Sequence, residues 1–338
     1  MREPDFWYRP PSLLSSLLTP LGALYGMITG RRMGRAGFAA GVPVICVGNY
    51  HVGGAGKTPM VIALANLLRE LAETPVVLSR GYGGQLRGPL LVDPARHEAS
   101  DVGDEPLMLA RNVPVVVARD RIDGVALAKS QNASVIVMDD GFQNPAIAKD
   151  GSLIVIDSDR GLGNGKVLPA GPLRAPLPLQ IARTDGLIVI GGGSAAEPVA
   201  AALAGQGRMV LSAHLRPDAA TVASLQDKRV LAFAGIGDPK RFFRTLRGCD
   251  IEVVSERAFP DHHPFSEQEI AGLIADASRH SLTLVTTEKD MVRLRNAPAA
   301  KQVVPFPVTL ELDNPVDLRR FATDLLFRIR ARIFRADC

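Results

Sequence analysis

The sequence predicts an α/β protein: a mostly parallel sheet domain, a second, smaller α/β domain behind it, and an N-terminal amphipathic helix in front. Three observations carry that reading. Short β-branched apolar runs alternate with helical patterns from residue 42 to 217, as in a parallel sheet covered on both faces. The alternation restarts near residue 220. Residues 12–30 carry no charge and have helical apolar spacing. The expected divisions are 1–35 for the membrane-associating helix region, 36–220 for the larger domain and 221–338 for the smaller.

The N-terminal stretch, SLLSSLLTPLGALYGMITG, places Leu13, Leu17, Leu21, Leu24 and Ile28 on one helical stripe. Ser15, Ser16, Thr19 and Gly22 fall mostly off it, and Arg31, Arg32 and Arg35 follow at once. The segment before it is net neutral and no small-x-small site follows, which argues against a signal peptide. Serine, threonine, Pro20 and glycine dilute it as a bilayer span. A helix lying in a headgroup layer, its arginines reaching phosphates, fits this pattern; a helix packed on a soluble core shares the same periodicity.

Strands are expected at 42–49, 75–81, 113–119, 133–141, 152–158, 185–193 and 208–217, with helices at 60–71, 105–111, 122–131 and 195–204 between them. A linker is expected at 215–227. The smaller domain follows, with a strand then loop over 228–239, strands at 251–259 and 282–290, a helical FFRTLRGC and a Ser-capped helix over 266–278. The last run sets Leu318, Phe321, Leu325, Ile329 and Ile333 on one face of a basic helix, suited equally to a membrane or to the first domain.

Composition narrows the function classes. The chain of 338 residues is 46% hydrophobic and 22% charged, enough for a full core and against wholesale disorder. Aromatics are 5%, too few for a base-stacking single-strand binder. Net charge is +4, but residues 1–50 and 315–338 each carry +3 and the 264 between them carry −2. Nucleic-acid binders usually spread basic charge over a folded face, and basic ends on a near-neutral body fit an anionic membrane surface at least as well. Cys46, Cys249 and Cys338 are far apart and follow no metal or disulfide spacing, so they read as reduced thiols. No obligate protein partner is evident.

The chemistry begins at residues 51–58, HVGGAGKT, between a hydrophobic strand and a helix. His51, Val52, Gly53, Gly54, Ala55 and Gly56 form a loop whose backbone N–H groups can turn onto phosphate oxygens. Lys57 supplies a cation to the β- and γ-phosphates, and Thr58 offers a hydroxyl to Mg²⁺. His51 stands where GxxxxGK[ST] has its first glycine. VIVMDDG ends a strand in Asp139, with Asp140 beside it, about 80 residues after the loop. Carboxylates there can hold Mg²⁺ directly or through water. Together they imply a nucleoside triphosphate with Mg²⁺ and a phosphate-loop NTPase-like domain.

Other polar clusters supply the acceptor side. GDEP sets Asp104 at a helix start, either as a cap or as a base. FPDHHPF places His262 and His263 beside Asp261 without a third ligand at zinc spacing, so a carboxylate-held histidine for proton transfer is the better chemistry. Arg80, Arg119, Arg174 in the Gly/Pro-rich GNGKVLPAGPLR loop, and Lys289 in TTEKD are candidate phosphate or substrate contacts.

In this order, PVICVGNYHVGGAGKTP, LSRGYGG, GDEP, DDGFQ, GNGKVLPAGPLR, AFAGIGDPKRFF, FPDHH and VTTEKDMVRL resemble the tetraacyldisaccharide 4′-kinases over residues 43–294. The resemblance implies a two-domain α/β kinase with its site in the cleft. It would transfer the γ-phosphate of ATP to the 4′-hydroxyl of tetraacyldisaccharide 1-phosphate, an acylated glucosamine disaccharide, in lipid A synthesis. The setting implied is the cytoplasmic face of a Gram-negative inner membrane. It places ATP on Gly53 to Thr58, Mg²⁺ and nucleotide positioning on Asp139 and Asp140, and a catalytic pair on Asp104 and His262, with His263 the alternative. The family pattern has His after DDGFQ and Glu after AGPLR; Asn144 and Ala175 stand there. A membrane-associated ATPase or GTPase switch acting on a protein partner would also use the phosphate loop, but no NKxD-like guanine-reading motif accompanies it.

Overall fold

The computed structural model describes residues 3–54, 56–294 and 298–336; Ala55 and Cys338 lie outside them. The larger sheet is built from β1 (Val44–Gly48), β2 (Pro75–Ser79), β3 (Leu90–Leu91), β4 (Val115–Val117), β5 (Val135–Asp139), β6 (Gly151–Asp157), β7 (Gly186–Ile190) and β8 (Met209–Pro217). The smaller contains β9 (Arg229–Ala234), β10 (Glu252–Ala258), β11 (Thr283–Thr287) and β12 (Val303–Phe306), and β13 (Val308–Leu312) follows. The sheet orders are β13-β8-β7-β6-β1-β5-β2-β4-β3 and β10-β9-β11-β12. The strands from β8 to β4 run parallel, with β13 and β3 antiparallel at the edges. The smaller sheet is wholly parallel.

The apolar runs explain this layout. β1, β2, β5 and β6 are buried along their whole lengths, as strands covered on both faces must be. Ile45, Val47, Val77 and Val137 face the helix Lys57–Glu70 through Met60, Leu64 and Leu68. Val44, Cys46, Leu78 and Met138 face the opposite layer, with Val125 and Ala128 of the helix Arg121–Ser130. The strand period of two thus divides one run between two cores.

The C-terminal segment returns to the larger sheet instead of staying with the smaller one. β13 pairs with β8, and Leu318, Leu325, Leu326 and Ile329 of the helix Pro315–Ala336 join the core around Leu64 and Val137. The expected grouping of 221–338 therefore ends, in sheet terms, at β12. As far as Ile329, the apolar face of the last helix is spent on protein packing; the side chain of Ile333 lies outside those described. The expected linker at 215–227 is largely ordered structure: β8 runs to Pro217, and Asp218 caps the helix Ala219–Leu225 through the Thr221 N–H at 2.7 Å.

The N-terminal stretch forms two helices, Leu13–Leu17 and Thr19–Met33, the first closed by a capping box between Ser12 and Ser15. Ser15, Gly22 and Gly26 face the protein. A Cβ on Gly22 would sit 2.8 Å from the Val167 carbonyl, so only glycine lets the helix lie this close to the 167–170 loop. The leucine stripe faces outward, with Leu13 88% and Leu17 79% exposed. No helix among the described residues is long and apolar enough to cross a membrane.

Candidate active site

β1 and β5 are neighbours, with Val47 opposite Asp139, so the loop after β1 and the carboxylates ending β5 meet at one sheet edge. That edge is a switch point, since β1 is flanked by β5 on one side and β6 on the other. The loop turns through Gly53 (φ 103°) and Gly56 (φ 84°), backbone angles costly for any residue with a Cβ. Asn49 Nδ2 donates to the Gly53 carbonyl at 3.0 Å, and the Val52 N–H donates to the Pro172 carbonyl at 3.0 Å. His51 pairs its backbone with Leu173. The Gly/Pro-rich loop thus serves as the brace of the phosphate loop. Ala55 lies outside the described residues.

His51 is fully buried, its Nδ1 2.8 Å from the Val52 carbonyl oxygen and its Nε2 without a partner among the described residues. Burial, against the help of the Val52 carbonyl, pushes its pKa down to about 4. The ring is neutral where the first glycine of a standard loop would leave space.

Lys57 is buried, with its Nζ 3.6 Å from Asp140 Oδ1, and Thr58 follows at the helix start. Asp140 sits at φ 50° and also accepts from Arg174 Nη1 at 2.8 Å. Burial opposes its charge, but Lys57 and Arg174 outweigh burial and hold its pKa below the usual carboxylate range. Asp139 is 3% exposed and accepts one side-chain bond, from Ser79 Oγ at 3.2 Å. Burial first, then the Glu105 and Asp140 charges, raise its pKa to about 7. A buried carboxylate this short of cationic partners, next to a second carboxylate, fits a hard divalent cation that takes its remaining ligands from nucleotide phosphates and water. Among the described residues no three His, Cys, Asp or Glu side chains form a metal cage.

The two sheets meet at Asp104, the first residue of the helix Asp104–Leu109. His262 Nδ1 lies 3.1 Å from Asp104 Oδ2, and Arg293 donates to the same oxygen from Nη2 at 2.7 Å and Nε at 3.0 Å. Arg293 is itself fixed by Asp290 at 2.6 Å and the Gly235 carbonyl at 2.9 Å. Burial disfavours the Asp104 charge, but the His262 bond and the Lys289 and Arg293 cations outweigh it and hold the carboxyl well below its ordinary pKa. Lys289 spans Glu105 at 3.1 Å, Asp261 at 3.8 Å and Asp104 at 3.9 Å. Burial opposes its charge, and the three carboxylates more than restore it. His262 adopts φ 59°, rare outside glycine, held by bonds from its N–H to the Gly235 carbonyl and Asp261 Oδ1. His263 turns away, bonding Glu269 at 2.9 Å and stacking on Phe259.

The structure therefore brings together Lys57, Thr58, Asp139, Asp140 and Arg174 on one side, and Asp104, His262 and Lys289 on the other. A cavity of about 530 Å³ opens beside the second group, lined by Gly83, Gln85, Arg96, His262, Phe265 and Arg293 among others. Arg80 is exposed at the end of β2, and exposed Arg119 reaches the Gly84 carbonyl at 3.4 Å. Asn144 caps its own turn through the Ala146 N–H at 2.9 Å, and the fully buried Ala175 gives its carbonyl to Gln180. Sequence reasoning missed Glu105 and Arg293. GDEP and VTTEKDMVRL contain them, but their roles exist only where the two sheets meet.

A phosphate loop, a pair of strand-end carboxylates and a histidine–carboxylate contact across a cleft can align a triphosphate with an acceptor hydroxyl and take its proton. Comparison with known proteins identifies the family. The family model described as tetraacyldisaccharide-1-P 4′-kinase matches residues 14–326. A tetraacyldisaccharide 4′-kinase of Bradyrhizobium diazoefficiens is 67% identical over 335 residues, 99% of each chain. One of Nitrobacter hamburgensis is 64% identical over 334 residues, covering 98% of this chain and 100% of its own. The crystal structure of LpxK from Aquifex aeolicus in complex with ATP superposes with a TM-score of 0.71 at 27% identity, covering 93% of this chain and 100% of that one. On its sequence and its fold, the chain belongs to the tetraacyldisaccharide-1-P 4′-kinase family.

Proposed function

We propose that the chain transfers the γ-phosphate of ATP to the 4′-hydroxyl of tetraacyldisaccharide 1-phosphate, seated on an anionic lipid surface at the cytoplasmic face of the inner membrane. The observation that carries the chemistry is the Asp104–His262 contact made between the two sheets, with Glu105 within electrostatic reach of both Asp104 and Asp139.

The phosphate loop and Lys57 bind the triphosphate and offset its charge. Thr58, Asp139 and Asp140 are the residues that would hold Mg²⁺, which when bound neutralises charge on the β- and γ-phosphates. Asp104 and His262 act as one proton-accepting unit. Asp104 alone is a weak base, because Arg293 and His262 share one of its oxygens, so the proton leaving the acceptor hydroxyl is shared with the imidazole. Lys289 and Arg293 keep this unit in place as the sheets approach. The outward leucine stripe and Arg31, Arg32 and Arg35 support the membrane setting, with the glycine face left to grip the protein.

The test is incubation of the protein with γ-labelled ATP, Mg²⁺ and the acylated disaccharide 1-phosphate in mixed micelles. Label should move to the lipid only when both partners are present. Steady ATP hydrolysis with no labelled lipid would sink this reading and favour the nucleotide switch.

A further inference from the structure

The first described residues do not trail into solvent. Glu3 lies on the phosphate loop: a Cβ built on Gly53 would collide with its carboxylate. The same carboxylate is ion-paired with Arg160, whose side chain is only 15% exposed. Arg160 in turn lies with its guanidinium carbon 4.0 Å from the centroid of the Tyr8 ring. Between Glu3 and Tyr8, Trp7 is buried, donates from Nε1 to the Pro169 carbonyl at 3.1 Å and accepts from the Asn164 N–H at 2.7 Å. Residues 3–8 thus form a strap tied to the loop that braces the phosphate site.

The position of this carboxylate is informative. Gly53 belongs to the part of the loop whose N–H groups approach the terminal phosphate oxygens. A cation beside it is what a triphosphate there needs. Arg160 is that cation, with Nη1 buried and lacking a hydrogen-bond partner among the described residues. The glutamate beside it is an anion where an anion is expected. From the other side, the smaller unit comes close, since a Cβ on Gly237 would lie 3.4 Å from Gly54 N. Any ligand between the loop and Arg160 therefore sits where the two units meet.

We propose that Arg160 binds the terminal phosphate of the nucleoside triphosphate, and that Glu3 occupies this subsite until the nucleotide displaces it. The inference rests on the phosphate loop being the nucleotide site. Two anions cannot share one guanidinium and one glycine edge at low cost, so a γ-phosphate must move Glu3, and the strap with it. A diphosphate, which lacks the competing group, leaves Glu3 in place. The strap leads within five residues to the first N-terminal helix, so nucleotide loading is linked mechanically to the outward leucine face.

The experiment uses the full chain, with Mg²⁺ and either ADP or the non-hydrolysable triphosphate analogue AMP-PNP. Affinity is read by calorimetry and strap position by the emission of Trp7, the only tryptophan of the chain. Trp7 emission should shift to the red with AMP-PNP and stay unchanged with ADP. Glu3→Gln should bind AMP-PNP about three- to tenfold more tightly, with ADP affinity unchanged. Arg160→Gln should narrow the affinity difference between AMP-PNP and ADP, and Arg160→Lys, which keeps the charge if the glutamine variant folds poorly, should recover part of it. Equal AMP-PNP affinity for Glu3→Gln and the parent, or a Trp7 signal that AMP-PNP does not move, would overturn the proposal while leaving the nucleotide site standing. A parent chain that binds neither nucleotide would overturn the nucleotide site itself.

Discussion

His262 Nδ1 and Asp104 Oδ2 are 3.1 Å apart, though 158 residues separate them in the chain. One belongs to the loop after β10, the other to a helix layered on the larger sheet. Their contact is a direct measure of how the two units meet. Asp104 also carries Arg293, so a single carboxylate oxygen joins the proposed proton-transfer pair to the packing of the interface. Removing it should cost both chemistry and order.

Asp104→Asn and His262→Ala should each lower kcat on the lipid acceptor by about 10²- to 10⁴-fold, with little change in ATP affinity. His263→Ala should retain most of the turnover, because His263 faces Glu269 and Phe259 rather than Asp104. Steady-state kinetics of the three variants decide the matter. A His263 variant as impaired as the His262 variant would contradict the assignment.

A second bridge between the units can be tested by stability. Arg241, from the helix Pro239–Arg247, pairs with Asp157 at the end of β6, and Asp157 is only 3% exposed. Arg241→Ala leaves that carboxylate buried without its cation, a loss of about 3 kcal/mol. Asp157→Asn should cost less, because the amide oxygen still accepts from the Asp159 and Arg160 N–H groups. Urea denaturation of both variants should rank them in that order; the reverse ranking would remove Arg241 as a clamp.

The N-terminal stripe calls for the opposite signature, a functional loss without a folding loss. Leu21 and Leu24 are more than half exposed, so Leu21→Glu/Leu24→Glu breaks no internal packing. Thermal midpoint and ATP binding should hold steady, while partition onto anionic vesicles falls by about a hundredfold. Unchanged vesicle binding would refute the docking face.

Much of this site was legible because its parts are local. The phosphate loop announces itself through glycines, Lys57 and Thr58 between a strand and a helix, and Asp139 through an apolar run that ends in acid. What could not be read is what depends on crossing from one sheet to the other. Glu105 and Arg293 are ordinary helix residues until the helices Asp104–Leu109 and Glu288–Leu294 are brought together. The return of β13 to β8 leaves no local mark either, since an edge strand looks the same in either sheet. The N-terminal periodicity was visible, but the same leucine spacing serves a core or a surface. The buried glycine face, and the clash any Cβ would make with the Val167 carbonyl, decide the orientation. Glu3 was merely one acid in a basic terminus.

His51 gives a test of the phosphate loop that needs no substrate. Its folded pKa is about 4 against an ordinary 6.5, because burial disfavours the charged ring. Between these values the unfolded chain holds a proton that the folded chain does not. Stability from this residue is therefore complete above about pH 6.5 and is lost as pH falls toward 4, at up to about 1.4 kcal/mol per pH unit and roughly 3 kcal/mol in all. His51→Leu keeps the site apolar and removes the titration. Urea denaturation from pH 4.5 to 7.5 should show the parent losing more stability on acidification than the variant, by about that slope. Since Lys57 and Arg174 also disfavour a charged ring, the parent should bind nucleotide with His51 neutral, and the His51→Leu variant should keep its phosphate loop. Parallel pH profiles for the two proteins would mean that His51 is not held neutral by burial, and that the departure from glycine at this position has some other basis.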